Sequence, residues 1–141
     1  MTDLRSELAA WCASYVRAFE AYDADVIAAH WTYPSLTTQA GRSFAFKSDE
    51  HFSKNTSRLL GFYKAQDVRR VVRHIVDAQA INLDTARMTV SDEMLNSADE
   101  PLAEWQATYI MQRVDGAWKA VMAIADGEVE AWAARGTPLG G

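Results

Sequence analysis

Leu4, Leu8, Trp11, Cys12, Tyr15, Val16 and Phe19 recur at steps of three and four, which places all of them on one side of an α-helix. A helix with so broad an apolar stripe needs a second layer to cover it, so the rest of the chain must supply a matching face. The spacing predicts a first helix from Asp3 to Glu20. A second starts at Asp23, whose carboxylate can accept from the free amides of the first turn. It carries Val26, Ile27, His30 and Trp31 and stops before Pro34, because the residue preceding a proline disfavours the helical region.

Tyr33 to Gln39 reads as a short β segment, turned by Ala40-Gly41-Arg42 into Ser43 to Phe46. Ser48, followed by Asp49 and Glu50, marks the start of a third helix, which carries Phe52, Leu59 and Tyr63 and ends near Lys64. From Val68 onward β-branched and aromatic residues dominate. Breaks at Asn82 to Asp84, Asn96 to Pro101 and Asp115-Gly116 divide this half into four strands. Asp-Gly takes the positive φ angles of a tight hairpin, here between Glu104 to Val114 and Ala117 to Ala125. Helices first and long antiparallel strands afterwards is an α+β order, with the helices on one face of a strongly bent sheet.

A length of 141 residues with 49% hydrophobic content fits one domain with a sizeable core, and 134–141, with three glycines and a proline, is expected to be a flexible tail. The net charge of −5 opposes binding to nucleic acid or an anionic membrane. The first residues mix acids and bases without an apolar run, and the longest apolar stretch, Ala120 to Ala125, is six residues. Together with the single Cys12, this predicts a soluble chain in a reducing, cytoplasmic compartment.

Two N-terminal helices, a hairpin, a third helix and a meander ending Arg113-Val114-Asp115-Gly116-Ala117-Trp118-Lys119 resemble the nuclear-transport-factor-2-like superfamily, which includes SnoaL-like proteins and ketosteroid isomerase. The resemblance spans Leu4 to Asp126. It implies a cone, a curved antiparallel sheet wrapped around the N-terminal helices, of the NTF2-like or cystatin-like α+β roll type. Such a sheet cannot fill its wide end with its own side chains, which leaves a concave apolar pocket.

Tyr15 lies on the buried stripe near the position where the isomerase carries its oxyanion-donating tyrosine. The isomerase base falls at or beside Gln39 and its second acid near Ile110, so neither carboxyl is present in this alignment. His74, within Val71 to Val76, is the best general-base candidate if Val72 and Val76 face the cavity, and Asp77 reaches the same face only across a bulge. The alternative for Tyr15 and His74 alike is a hydrogen-bonded structural role. His30, His51 and His74 sit on three elements without metal-ligand spacing, so neither a metal nor another cofactor is expected.

On the strand before the tight turn, the resemblance places Gln106, Thr108 and Gln112 inside, and Trp105, Tyr109 and Met111 outside at a homodimer interface. Inverted parity would exchange the two sets. Tyr15, Gln39, His74, Gln106, Thr108 and Gln112 are therefore the expected pocket residues. Arg69, Arg70 and Arg73 read as a solvated strand edge balanced by Asp67 and Asp77; at the cavity mouth, Arg69 and Arg73 would instead favour a carboxylate ligand.

Three functions fit these features. The first is a pocket for a small apolar or mildly polar molecule, bound without turnover. The second is an isomerase, cyclase or dehydratase using Tyr15 with His74 or Glu93. The third is an accessory subunit acting through its outer sheet face.

Overall fold

The computed structural model describes residues 3–139. Helix α1 (Leu4–Glu20) starts where Asp3 accepts a hydrogen bond from the Ser6 amide at 2.7 Å, and it buries Leu8, Trp11, Cys12, Tyr15 and Ala18, the face expected from the spacing. Helix α2 (Ala24–Ala29) is capped by Asp23 and ends two residues before the last residue of its expected apolar pattern, Trp31. His30 forms its C-cap and Trp31 already opens β1 (Trp31–Gln39). Ala40 and Gly41, both with positive φ, turn the chain into β2 (Arg42–Phe46). Ser48 then caps α3 (Asp49–Ala65).

The second half supplies β3 (Arg70–Ala80), β4 (Thr85–Leu95), β5 (Pro101–Val114) and β6 (Ala117–Ile124). Asp115 and Gly116 have φ values of 51° and 82° at the β5–β6 turn, as an Asp-Gly hairpin requires. A nine-residue helix, α4 (Asp126–Ala134), follows, which the sequence pattern did not announce.

The six strands form one sheet in the order β2-β1-β6-β5-β4-β3. All neighbours are antiparallel except β1 and β6, so the expected antiparallel sheet is in fact mixed, with its N-terminal hairpin attached through one parallel pairing. The α1 stripe packs into the inner face of this sheet: Trp11 stacks on Tyr15 with ring centroids 4.6 Å apart, and the Cys12 sulfur lies 3.6 Å from that of Met88.

Register decides which side chains face inward. Met88 pairs with Tyr109, Val90 with Ala107 and Asp92 with Trp105, all on the buried side. Helix α4 closes the same side. It approaches β5 so closely that a Cβ on Gly127 would stand 2.5 Å from the Gln106 carbonyl oxygen, so only glycine fits there. That approach brings Trp132, fully buried, against Phe62, Tyr63 and Trp105 at centroid distances of 5.1, 6.1 and 6.1 Å. Within the expected tail, Pro138 and Leu139 line the cavity described next; Gly140 and Gly141 lie outside the described residues.

Candidate functional site

Between the inner sheet face and helices α1, α3 and α4 lies a cavity of about 730 Å³. Its walls are mainly apolar, with Val16, Phe19, Phe46, Phe52, Leu59 and Phe62 among them. Thr37, Gln39, Asn55, Thr56 and Arg58 add polar groups from β1 and α3, and hydrogen-bonded polar clusters form at two further places.

The first is built on β3, β4 and β5. Arg73 and Asp92 are direct cross-strand partners, and the guanidinium grips the carboxylate with two bonds, Nε to Oδ1 at 2.7 Å and Nη2 to Oδ2 at 2.8 Å. Their side chains are only 6% and 4% exposed, so this is a desolvated, mutually neutralised pair rather than a surface ion pair. Arg73 Nη2 also donates to the Tyr109 hydroxyl at 3.0 Å. Beside it, Trp31 Nε1 donates to the Tyr15 hydroxyl at 3.0 Å. Each phenol oxygen thus already accepts a bond from the protein, while its own hydrogen has no acceptor among the described residues. Burial pushes both phenols above their ordinary range, Tyr15 strongly, so at neutral pH they are hydrogen donors and not anions. The guanidinium lies 5.4 Å from the Tyr15 ring centre and 5.0 Å from that of Tyr109, which fixes the three groups as a unit.

The second place is Glu128, on the first turn of α4. Its Oε2 accepts from the Tyr63 hydroxyl and, at 3.3 Å, from Trp132 Nε1. As a whole residue Glu128 keeps intermediate exposure, as a cavity-lining side chain must, yet its carboxyl is surrounded by protein. Burial raises its pKa to about 7 against the opposing pull of the Tyr63 and Trp132 hydrogen bonds.

The sequence model of a family described as NTF2-like protein (DUF6841) matches residues 6–128. The chain belongs to this NTF2-like family. Solved structures agree with this fold. A ketosteroid isomerase-like protein from Erwinia carotovora atroseptica superposes with a TM-score of 0.64 at 16% identity, covering 88% of this chain and 95% of that one. An NTF-2 like protein of unknown function from Shewanella oneidensis gives 0.67 at 9% identity over 84% and 95% of the two chains. A domain of unknown function with a cystatin-like fold from Nostoc punctiforme gives 0.67 at 14% over 88% and 77%. At such identities these likenesses establish the NTF2-like fold and carry no activity across. No curated protein sequence matches the chain significantly.

Within this NTF2-like fold, Tyr15 and Gln39 line the cavity. The parity of β5 is the reverse of the one taken from the resemblance. Trp105, Ala107 and Tyr109 face the cavity, and Met111 is completely buried beside them. Gln106 and Gln112 are exposed on the outer face, with Thr108 half-buried there and hydrogen-bonded to Thr89 at 2.9 Å. The large side chains turn inward because α1 and α4 lie on that side; the homodimer contact assigned to Trp105, Tyr109 and Met111 is therefore not available. Ile110 points outward and pairs with Met122.

His74 is also outside the cavity. It pairs with Ser91 on the outer face and is exposed. The register shift between Ile75 and Asp77 does bring Asp77 to the same face as His74, but this is the solvent side. Arg69 is exposed and paired with Asp67, whereas Arg73 is buried in the cavity floor and not on a solvated edge. His30 is structural, with Nδ1 2.7 Å from the Val26 carbonyl oxygen and Nε2 2.7 Å from the Ser14 hydroxyl. Among the described residues no three His, Cys, Asp or Glu side chains are grouped as metal ligands would be, and no helix is long and apolar enough to cross a membrane.

Asp92 and Glu128 are the site residues that the sequence reading missed. Asp92 sits in step with Met88, Val90 and Met94, an acid in an otherwise apolar strand row, which was the available signal. Glu128 stands four residues before Trp132, one turn of a helix that the breaking effect of Gly127 concealed.

Proposed function

We propose that the cavity binds a small, mostly apolar molecule that presents one uncharged hydrogen-bond acceptor, such as a ketone oxygen, to Tyr15 and Tyr109. The supporting observation is the pair of buried phenols whose oxygens are occupied and whose hydrogens are not. A buried donor without an acceptor costs about 1–3 kcal/mol, so a ligand that supplies one gains specificity at this point. The carboxylate ligand envisaged beside Arg69 and Arg73 is disfavoured at Arg73, whose charge Asp92 neutralises; its Nη1, buried without a hydrogen-bond partner, is a further donor for an uncharged acceptor. The enzymatic reading through His74 loses its base, since that imidazole is on the wrong face.

Titration calorimetry with 2-acetylnaphthalene, 2-ethylnaphthalene and 2-naphthoate separates these cases. The ketone should bind at least tenfold tighter than the hydrocarbon, the carboxylate most weakly, and Tyr109→Phe should erase most of the ketone's advantage. Equal affinity for ketone and hydrocarbon, or tightest binding of the carboxylate, would overturn the proposal.

The outer sheet face supports self-association as a second reading. No helix among the described residues covers it, and Leu36, Met122 and Ile110 align across β1, β6 and β5 with Ile124, 40% exposed, beside them. Sedimentation should then show a dimer that Ile110→Lys converts to monomer; a natural chain that sediments as a monomer removes this reading.

A further inference from the structure

The acceptor-binding phenols occupy only one part of the cavity, and Glu128 has no role in the reading above. Its Oε2 takes both protein hydrogen bonds, from Tyr63 and Trp132, and no donor among the described residues reaches Oε1. Arg73, a cation of the same cavity, is committed to Asp92 through two bonds. Around the carboxyl stand aromatic rings: Phe62, Tyr63 and Trp105 line the cavity with it, and Trp132 backs them. Phe19 continues this wall, 6.1 Å from Tyr63. A carboxyl bordered by aromatic side chains suits an organic ammonium, because ring quadrupoles attract a weakly hydrated cation and the carboxylate neutralises it.

Resting on the ligand-binding reading, we infer that Glu128 and the ring wall of Phe62, Tyr63 and Trp105 form an ammonium subsite, so the ligand is an amine or quaternary ammonium compound with an acceptor at its other end. The charge count agrees. Arg73 and Asp92 cancel, and Arg58, the other cation of the lining, is exposed to solvent on α3, so an ionised Glu128 is left without a buried counter-charge that a monocation would supply. The groups that act on Glu128 are the Tyr63 phenol from α3, Trp132 from its own helix, Asp92 from β4 and Arg73 from β3. With the carboxyl titrating at about 7, cation binding must draw it into its ionised form and release a proton below that pH.

The test uses 4-acetylbenzyl-trimethylammonium, whose charge is independent of pH, and its uncharged carbon isostere 4-neopentylacetophenone. At pH 8 the cation should bind at least tenfold tighter than the isostere, and at pH 5.5 the advantage should shrink to about twofold or less. Glu128→Gln should bring the two ligands within about twofold of each other at both pH values. An isostere that binds while the cation gains nothing at pH 8 overturns the ammonium subsite and leaves the ligand-binding reading intact. If neither compound binds, both fall. A preference that survives at pH 5.5 in the natural chain also sinks the role of Glu128, and this measurement requires no variant to fold.

Discussion

Replacing Asp92 by Asn keeps the size of the side chain and removes the charge that balances Arg73. In the natural chain both partners are almost fully withdrawn from solvent and joined by two bonds of 2.7 and 2.8 Å. Asparagine retains one carbonyl acceptor, so at most one of those bonds survives, and the guanidinium, which cannot deprotonate, is left as a buried cation. Breaking a buried pair in this way costs about 3–5 kcal/mol, a large share of the roughly 5–15 kcal/mol that stabilises a domain. Urea unfolding at pH 7.5, followed by tryptophan fluorescence, should show a lower midpoint with an unchanged slope. Thermal unfolding should fall by about 10 °C or more. The double variant Arg73→Met with Asp92→Leu should recover most of the loss, since removing both charges also removes the desolvation penalty. A cost for Asp92→Asn below about 1 kcal/mol, the level of an exposed ion pair, would refute the picture of a dry, neutral cavity floor.

Two further outcomes follow from α4. Gly127→Ala should destabilise the fold by about 1–3 kcal/mol despite the better helix propensity of alanine, because the new methyl meets the Gln106 carbonyl and the Trp105 Cβ; hydrogen exchange should quicken across 126–134, and unchanged protection there would count against the close contact. Glu128 should make stability fall as pH rises. Its folded pKa of about 7 exceeds the ordinary 4.5, so the native state holds a proton that the unfolded chain releases. Its contribution is intact below about pH 4.5 and is lost by pH 7–8, a swing on the order of 3 kcal/mol. Glu128→Gln should flatten that part of the profile, and a variant with the same slope as the natural chain would show that another group is responsible.

Much of the fold was legible because each element carried its own local signal. The α1 stripe, the capping residues Asp3, Asp23 and Ser48, and the Asp115-Gly116 turn each specify a backbone geometry without reference to the rest of the chain. The site was less legible because it depends on strand parity. Alternation shows that Trp105, Tyr109 and Met111 share a face, and cannot show which face, since both rows of β5 carry side chains that could pack. The position of α1 and α4 settles this, and α4 itself was hidden: its second residue is a glycine, and no side chain caps its start. Arg73 shows the same limit. Among Arg69, Arg70 and Arg73 only the strand register, which sets it opposite Asp92, separates the buried cation from its exposed neighbours.

The parallel seam between β1 and β6 also governs the order in which the chain can be completed. The hairpin of β1 and β2 meets the main sheet only through β6, the last of the described strands to be synthesised. Until residues 117–124 emerge, the early hairpin has no strand to dock on, and the edge of β5 that β6 will cover stays open. Completion of the sheet is thereby postponed until β6 has been made, which makes the nascent chain dependent on distant contacts and prone to edge association while it waits.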